Sequence, residues 1–248
     1  MLGSSREALA TLRTFVDEQS AKADFADSPS QLLSAASLLS SDKALRVAMS
    51  DSGQLVESRV ALVRELFGTR LSSTAVEILA QAASLRWSSS DDIVDAIEDM
   101  AAQIIFFLAQ QAGELHRIEN EIFTFSRALE SNPDLQMALT NPAQSASVKG
   151  SIVGDLLAGR ATPATLQVLQ YAVGHLHGQR IDSVVDQLVD LAASQRSRVV
   201  AEVKTPTQSL RALHVGFLIL VSCALIANHK AGSTAGRLIG WALGLGGF

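Results

Sequence analysis

Apolar residues recur in steps of three or four along nearly the whole chain, the period of one helical face. The longest such run goes from Asp91 to Asn132: Ile93, Ile97, Met100, Ile104, Leu108, Ala112, Leu115, Ile118, Ile122, Phe125 and Leu129. Ser89, Ser90 and Asp91 are good N-cap types, and Asn132-Pro133 is a stop, because the residue before a proline is pushed out of the α region. The pattern predicts one uninterrupted helix, roughly 60 Å long at 1.5 Å per residue.

Shorter amphipathic segments lie on either side. Leu9, Leu12 and Val16 mark a first helix, and Ser28-Pro29 starts a second carrying Leu32, Leu33, Ala36 and Leu39. Further helices are predicted after Asp42, over Gln54 to Phe67, and from Ser72-Ser73 to near Trp87. Beyond Asn132 the series resumes: a short helix stopped by Asn141-Pro142, one through Val148, Ile152 and Val153, one opened by Thr162-Pro163, and one over Ile181 to Gln195. At Val199-Val200-Ala201-Glu202-Val203 the β-branched composition predicts a short strand near 198–204.

The second series repeats the first. Leu45-Arg46-Val47-Ala48-Met49 lies over Leu135-Gln136-Met137-Ala138-Leu139 at a spacing of 90 residues, and Val76-Glu77-Ile78-Leu79 lies over Leu166-Gln167-Val168-Leu169. After a one-residue slip, Ile93-Val94-Asp95-Ala96 pairs with Val184-Val185-Asp186-Gln187. This period is the size of a small domain, longer than a solenoid repeat. The predicted fold is all-α: two tandem helical bundles sharing a long connecting helix, with a short strand and an apolar tail. The expected domains are 1–110, 111–197 and 198–248.

Composition adds little to the fold but narrows the function. Of 248 residues, 48% are hydrophobic and 5% aromatic, which suits closely packed helices. No Asp or Glu follows Glu202, whereas Lys204, Arg211, Lys230 and Arg237 do, so 16 of the 20 basic residues and all 25 acidic ones precede that point. An acidic body argues against nucleic acid as a partner. Cys223 is the one cysteine and excludes an intramolecular disulfide. Arg6 and Glu7 stand where a signal peptide would need an apolar stretch, so none is expected. Ala212 to Ala227 is almost wholly apolar, and Gly232, Gly236, Gly240 and Gly244 follow at intervals of four. That tail has three readings: an out-of-frame stretch of the gene, a transmembrane anchor just short of the ~20 residues a span needs, or a buried hairpin.

Up to Thr205 the chain resembles the δ subunit of bacterial F-type ATP synthases, the relative of the mitochondrial oligomycin-sensitivity-conferring protein. The resemblance is carried by Ser5-Arg6-Glu7-Ala8-Leu9-Ala10, by Arg86-Trp87-Ser88 leading into Asp92-Ile93-Val94-Asp95-Ala96, by Leu135 to Asn141, and by Gly178-Gln179-Arg180-Ile181 through Arg198 to Val203. The duplicated bundle is similar to the actinobacterial version. The resemblance implies a non-catalytic stator subunit of the peripheral stalk, on the cytoplasmic face of the plasma membrane. Its bundle would grip the N-terminal helices of the α subunits, and its C-terminal part would hold the b subunit. After Val203 the sequence departs from the family's charged helix and further strands. A helical adaptor held in the membrane by its tail, unrelated to the synthase, is the alternative.

No catalytic constellation, cofactor motif or metal-ligand set is expected. His175-Leu176-His177 lacks a third ligand nearby and reads as a surface or capping pair. Glu114, Glu119, Glu121 and Glu130 read as the solvated side of the long helix. The candidate binding feature is an apolar groove, which the resemblance places between the first and fifth helices of a bundle. In the second copy it would comprise Ile118, Ile122, Phe125 and Leu129 with Leu166, Leu169 and Val173.

Overall fold

A computed structural model describes residues 1, 3–20 and 24–204, with side chains up to residue 197. The tail readings from residue 205 onward lie outside the described residues. The chain divides into two units, Met1–Arg196 and Ser197–Phe248, and the account that follows concerns the first.

Eleven α-helices are present among the described residues: α1 (Ser4–Gln19), α2 (Ser28–Ser41), α3 (Lys43–Ser50), α4 (Val56–Phe67), α5 (Ser73–Ser84), α6 (Ser90–Gln111), α7 (Leu115–Ser131), α8 (Pro133–Thr140), α9 (Ala146–Leu157), α10 (Pro163–Gly174) and α11 (Ile181–Lys204). The fold is all-helical, as expected. The strand expected near 198–204 is instead the end of α11. Extending an existing helix adds one hydrogen bond per residue with no new nucleus, and β-branched residues cost that extension only tenths of a kcal/mol each.

Two hydrophobic cores form. The first gathers Leu12, Val16, Leu32, Leu39, Met49, Val63, Leu79, Ile93, Ile97 and Met100, among others. The second gathers Ala102, Ile105, Phe106, Ile118, Ile122, Phe125, Leu129, Leu139, Val153, Leu169 and Val173, among others. The repeat between them extends to single hydrogen bonds. The side chains of Asp42 and Asn132 accept from the Leu45 and Leu135 amides, capping α3 and α8. Arg46 donates to the Leu39 carbonyl at 2.8 Å, and Gln136, 90 residues on, donates to the Leu129 carbonyl at 2.8 Å. Gln31 accepts from the Ser72 amide, and Glu121 accepts from the Thr162 amide, both at 2.8 Å.

The expected single helix from Asp91 to Asn132 is broken at Gly113. Gly113 has φ +74°, the left-handed conformation that ends helices. Its amide donates to Gln110 O (3.0 Å) and the Glu114 amide to Ala109 O (2.8 Å), the paired bonds of a Schellman C-cap. A straight helix would have kept a few backbone hydrogen bonds, each worth about 1 kcal/mol net. It would also have carried Leu115, Ile118, Ile122 and Phe125 away from the second core, where burial stabilises each by roughly 1.5–3 kcal/mol. Burial wins, and the chain turns.

The break changes which helices correspond. α7 ends 90 residues after α2 and is its counterpart, so the second copy's first helix is α6, over whose residues 94–109 the α1 helix falls at the same spacing. Ile93, Ile97, Met100 and Ile104 of α6 enter the first core, and Ala102, Ile105, Phe106 and Ala109 enter the second. A helix with two apolar faces is nearly buried all round. Gln103 is 3% exposed and donates to Asp17 at 2.7 Å, fixing α6 to α1.

A candidate functional site where α6 carries both bundles

A hollow of about 930 Å³ opens beside α6. Asp95, Glu98, Ala102 and Ile105 of α6 line it on one side, Arg6 and Arg13 of α1 on another, and Val168 and Tyr171 of α10 with His175 just after it on a third. Leu188 and Leu191 of α11 complete its apolar part. Arg13 pairs with Asp99 through two bonds of 2.9 and 3.0 Å, closing the α1 side.

The polar end of the hollow is built around Glu98. Its Oε1 accepts from the Tyr171 hydroxyl at 2.8 Å and lies 2.9 Å from His177 Nε2. Asp95 stands one turn earlier on α6, and burial together with the Glu98 charge pushes its carboxyl up to about 6. The hydrogen bond to the Glu98 carboxylate raises the His177 pKa against the opposing effect of burial. Burial and the same carboxylate push the Tyr171 hydroxyl up. His177 is held at φ +49°, a left-handed conformation uncommon for residues other than glycine, though less so for Asn, Asp and His. His175 lies stacked on Tyr171 with ring centroids 4.1 Å apart, and its Nδ1 is 3.0 Å from the Tyr171 carbonyl oxygen.

The seven residues expected to form a groove are brought together, but as interior. Ile118, Ile122, Phe125, Leu129, Leu169 and Val173 are at most 1% exposed and belong to the second core, while Leu166 is half-buried. Four of them sit on α7, which stands second in its bundle, so the first and fifth helices of the second copy are α6 and α10. Those two helices flank the hollow.

Glu121, expected on the solvated side, is a capping acceptor. Its Oε2 receives the Thr162 amide (2.8 Å), the Thr162 hydroxyl (3.0 Å) and the Thr165 hydroxyl (2.6 Å) at the start of α10. Burial raises its pKa, but these bonds, with one from Arg117, outweigh it and hold the carboxyl below its ordinary value. The sequence signal for this was present in Gln31 and Ser72 at the same spacing. No such signal existed for His177, which only the fold brings to the Asp95 and Glu98 pair on α6. Among the described residues no helix is long and apolar enough to cross a membrane.

The arrangement is that of a helical scaffold with an open hollow beside α6. Comparison with known proteins gives its class: residues 102–210 match the family "ATP synthase delta (OSCP) subunit". That match begins inside α6, where the second copy begins. The ATP synthase subunit delta of Frankia casuarinae is 37% identical over 213 residues, 83% of this chain and 77% of that protein. Those of Streptomyces coelicolor and Nocardia farcinica are 35% and 32% identical over 205 and 200 residues, covering 82% and 81% of this chain and 75% and 72% of theirs. The chain belongs to the ATP synthase delta (OSCP) family, whose members are structural, non-catalytic subunits.

Proposed function

We propose that this chain is the δ subunit of an F-type ATP synthase stator, holding the catalytic head against rotor torque from the cytoplasmic face of the membrane as a peripheral protein. The observation that carries the reading is the hollow between α6 and α10 in a chain of this family. Its apolar wall of Ala102, Ile105, Val168, Ala172 and Leu188 fits the apolar face of one α-subunit N-terminal helix. Ile118, Ile122, Phe125, Leu129, Leu166, Leu169 and Val173 then support the groove from beneath, and the helix rests on side chains nearer the surface. The expected domains 1–110 and 111–197 then share α6, whose Ala102, Ile105, Phe106 and Ala109 belong to the second core, and α6 passes load between them. Contact with b would fall to residues 198–248, the part of the chain whose sequence departs from the family after Val203.

The test is binding of a synthetic α-subunit N-terminal peptide, measured by calorimetry. Ala172→Glu and Leu188→Glu alter half-buried positions facing the hollow, so helicity by circular dichroism should persist while peptide binding is lost. Full binding by both folded variants sinks the α6–α10 assignment. The alternative, a membrane-held adaptor, rests only on the apolar run 212–227, outside the described residues.

A further inference from the structure

We propose that Asp95, Glu98 and His177 form a binding site for a divalent transition-metal ion of the Zn²⁺ type, which clamps α6 to the loop between α10 and α11. One ligand atom from each of the three residues lies within 4.8 Å of the others. A tetrahedral ion about 2.1 Å from each ligand sets ligand–ligand edges of about 3.4 Å, so rotamer adjustment closes the set without moving backbone. Asp95 and Glu98 are three residues apart and share one face of α6.

The donor set selects the ion. One imidazole nitrogen with two carboxylates suits Zn²⁺ or Co²⁺, whereas Mg²⁺ and Ca²⁺ take oxygen ligands. Asp92 adds negative potential at Asp95, opposed by His177 and the N-terminal amine, and Asp91 is paired with Arg46 at 2.9 Å. Asp95 makes no side-chain hydrogen bond or ion pair within the described fold, while Glu98 is already oriented by the Tyr171 hydroxyl. That donor is the kind of second partner that fixes a metal-bound carboxylate. The hollow leaves space for water as a fourth ligand.

The site is a property of the junction between the copies and not of the repeated bundle. Counterparts of Asp95 and Glu98 in the second copy are Asp186 and Val189, and the counterpart of His177 in the first copy is Trp87, buried and donating to Ala82 O.

The experiment uses the full chain with Cys223→Ser, which removes the one thiol, stripped with EDTA and titrated with Co²⁺. The expected result is one ion per chain, visible d–d absorption bands, and a melting temperature raised by Zn²⁺. Asp95→Asn keeps the shape of its side chain, and His177→Gly suits the left-handed backbone there, so both variants keep the fold. Each should weaken Co²⁺ binding about tenfold or more. His116→Ala, on α7, should leave it unchanged. Absence of the bands overturns the proposal. So does binding that survives both cluster variants or disappears with His116→Ala. Peptide affinity plays no part in these readings, so the proposal stands or falls separately from the docking of an α-subunit helix.

Discussion

Replacing Asp95 by Asn should stabilise the metal-free chain at neutral pH. Asp95 lies on α6 beside Glu98, and folding raises its carboxyl from 3.8 to about 6. The folded state therefore holds this proton more tightly than the unfolded chain. Stability from Asp95 is fully present below about pH 4 and is lost as pH rises through about 6. At full burial that rise would correspond to about 3 kcal/mol. The group is only partly buried, so solvent screening reduces the effect to ~1–2 kcal/mol. For a helical unit of this size that is a melting-point difference of about 3–6 °C. Thermal and urea unfolding of both proteins in EDTA, from about pH 4 to about pH 8, provide the assay. The curves should coincide at the acid end, diverge between, and run parallel above about pH 7 with Asn the more stable. Equal stability at the alkaline end, or a less stable Asn variant, would show that Asp95 is not destabilised by ionisation in the fold. His177, whose pKa folding also raises, adds a loss in the same direction above its ordinary 6.5 in both proteins.

Gly113→Ala should cost about 1–2 kcal/mol in urea unfolding, from backbone conformation alone, because the added Cβ meets nothing within 4 Å. No loss would mean that α6 and α7 can straighten into one helix. Glu121→Ala should cost about 1–3 kcal/mol by removing the acceptor of three bonds at the start of α10, whereas Glu121→Gln, which restores the residue type of Gln31, should cost less than half of that. Equal costs would reject the shared role. Leu169→Asp or Ile122→Asp should abolish cooperative unfolding rather than disturb a surface, since both positions are 0% exposed and would bury an unpaired charge. A folded variant that only loses peptide binding would place them in an open groove after all.

The helices and their repeat were legible because six starts, those of α3, α5, α6, α8, α9 and α10, carry a capping side chain and each face keeps its period. Asp42 and Asn132, or Ser72 and Thr162, announce themselves in sequence and cap in structure. The turn at Gly113 was hidden by that same periodicity. Ala112 and Leu115 continue the apolar stripe across the break, and a stripe does not report a change of direction. The polar group at Glu98 was illegible for a different reason. His177 is 79 residues away and makes its contact from a left-handed loop position that no pattern of apolar residues encodes.

Because α6 closes one core and opens the next, the inherited unit of this architecture is five helices and a shared sixth. Growth by duplication therefore needs no new linker and no new interface: a copied segment begins and ends within equivalent helices, and the seam is healed by continuous backbone. α11 occupies in the second copy the place that α6 occupies in the first. A lineage could lengthen such a molecule in steps of one bundle, or shorten it by the reverse recombination, and each product would keep its helices in register. The same overlap denies either bundle an independent life. Neither can melt without stripping one face of the helix that its neighbour is built upon.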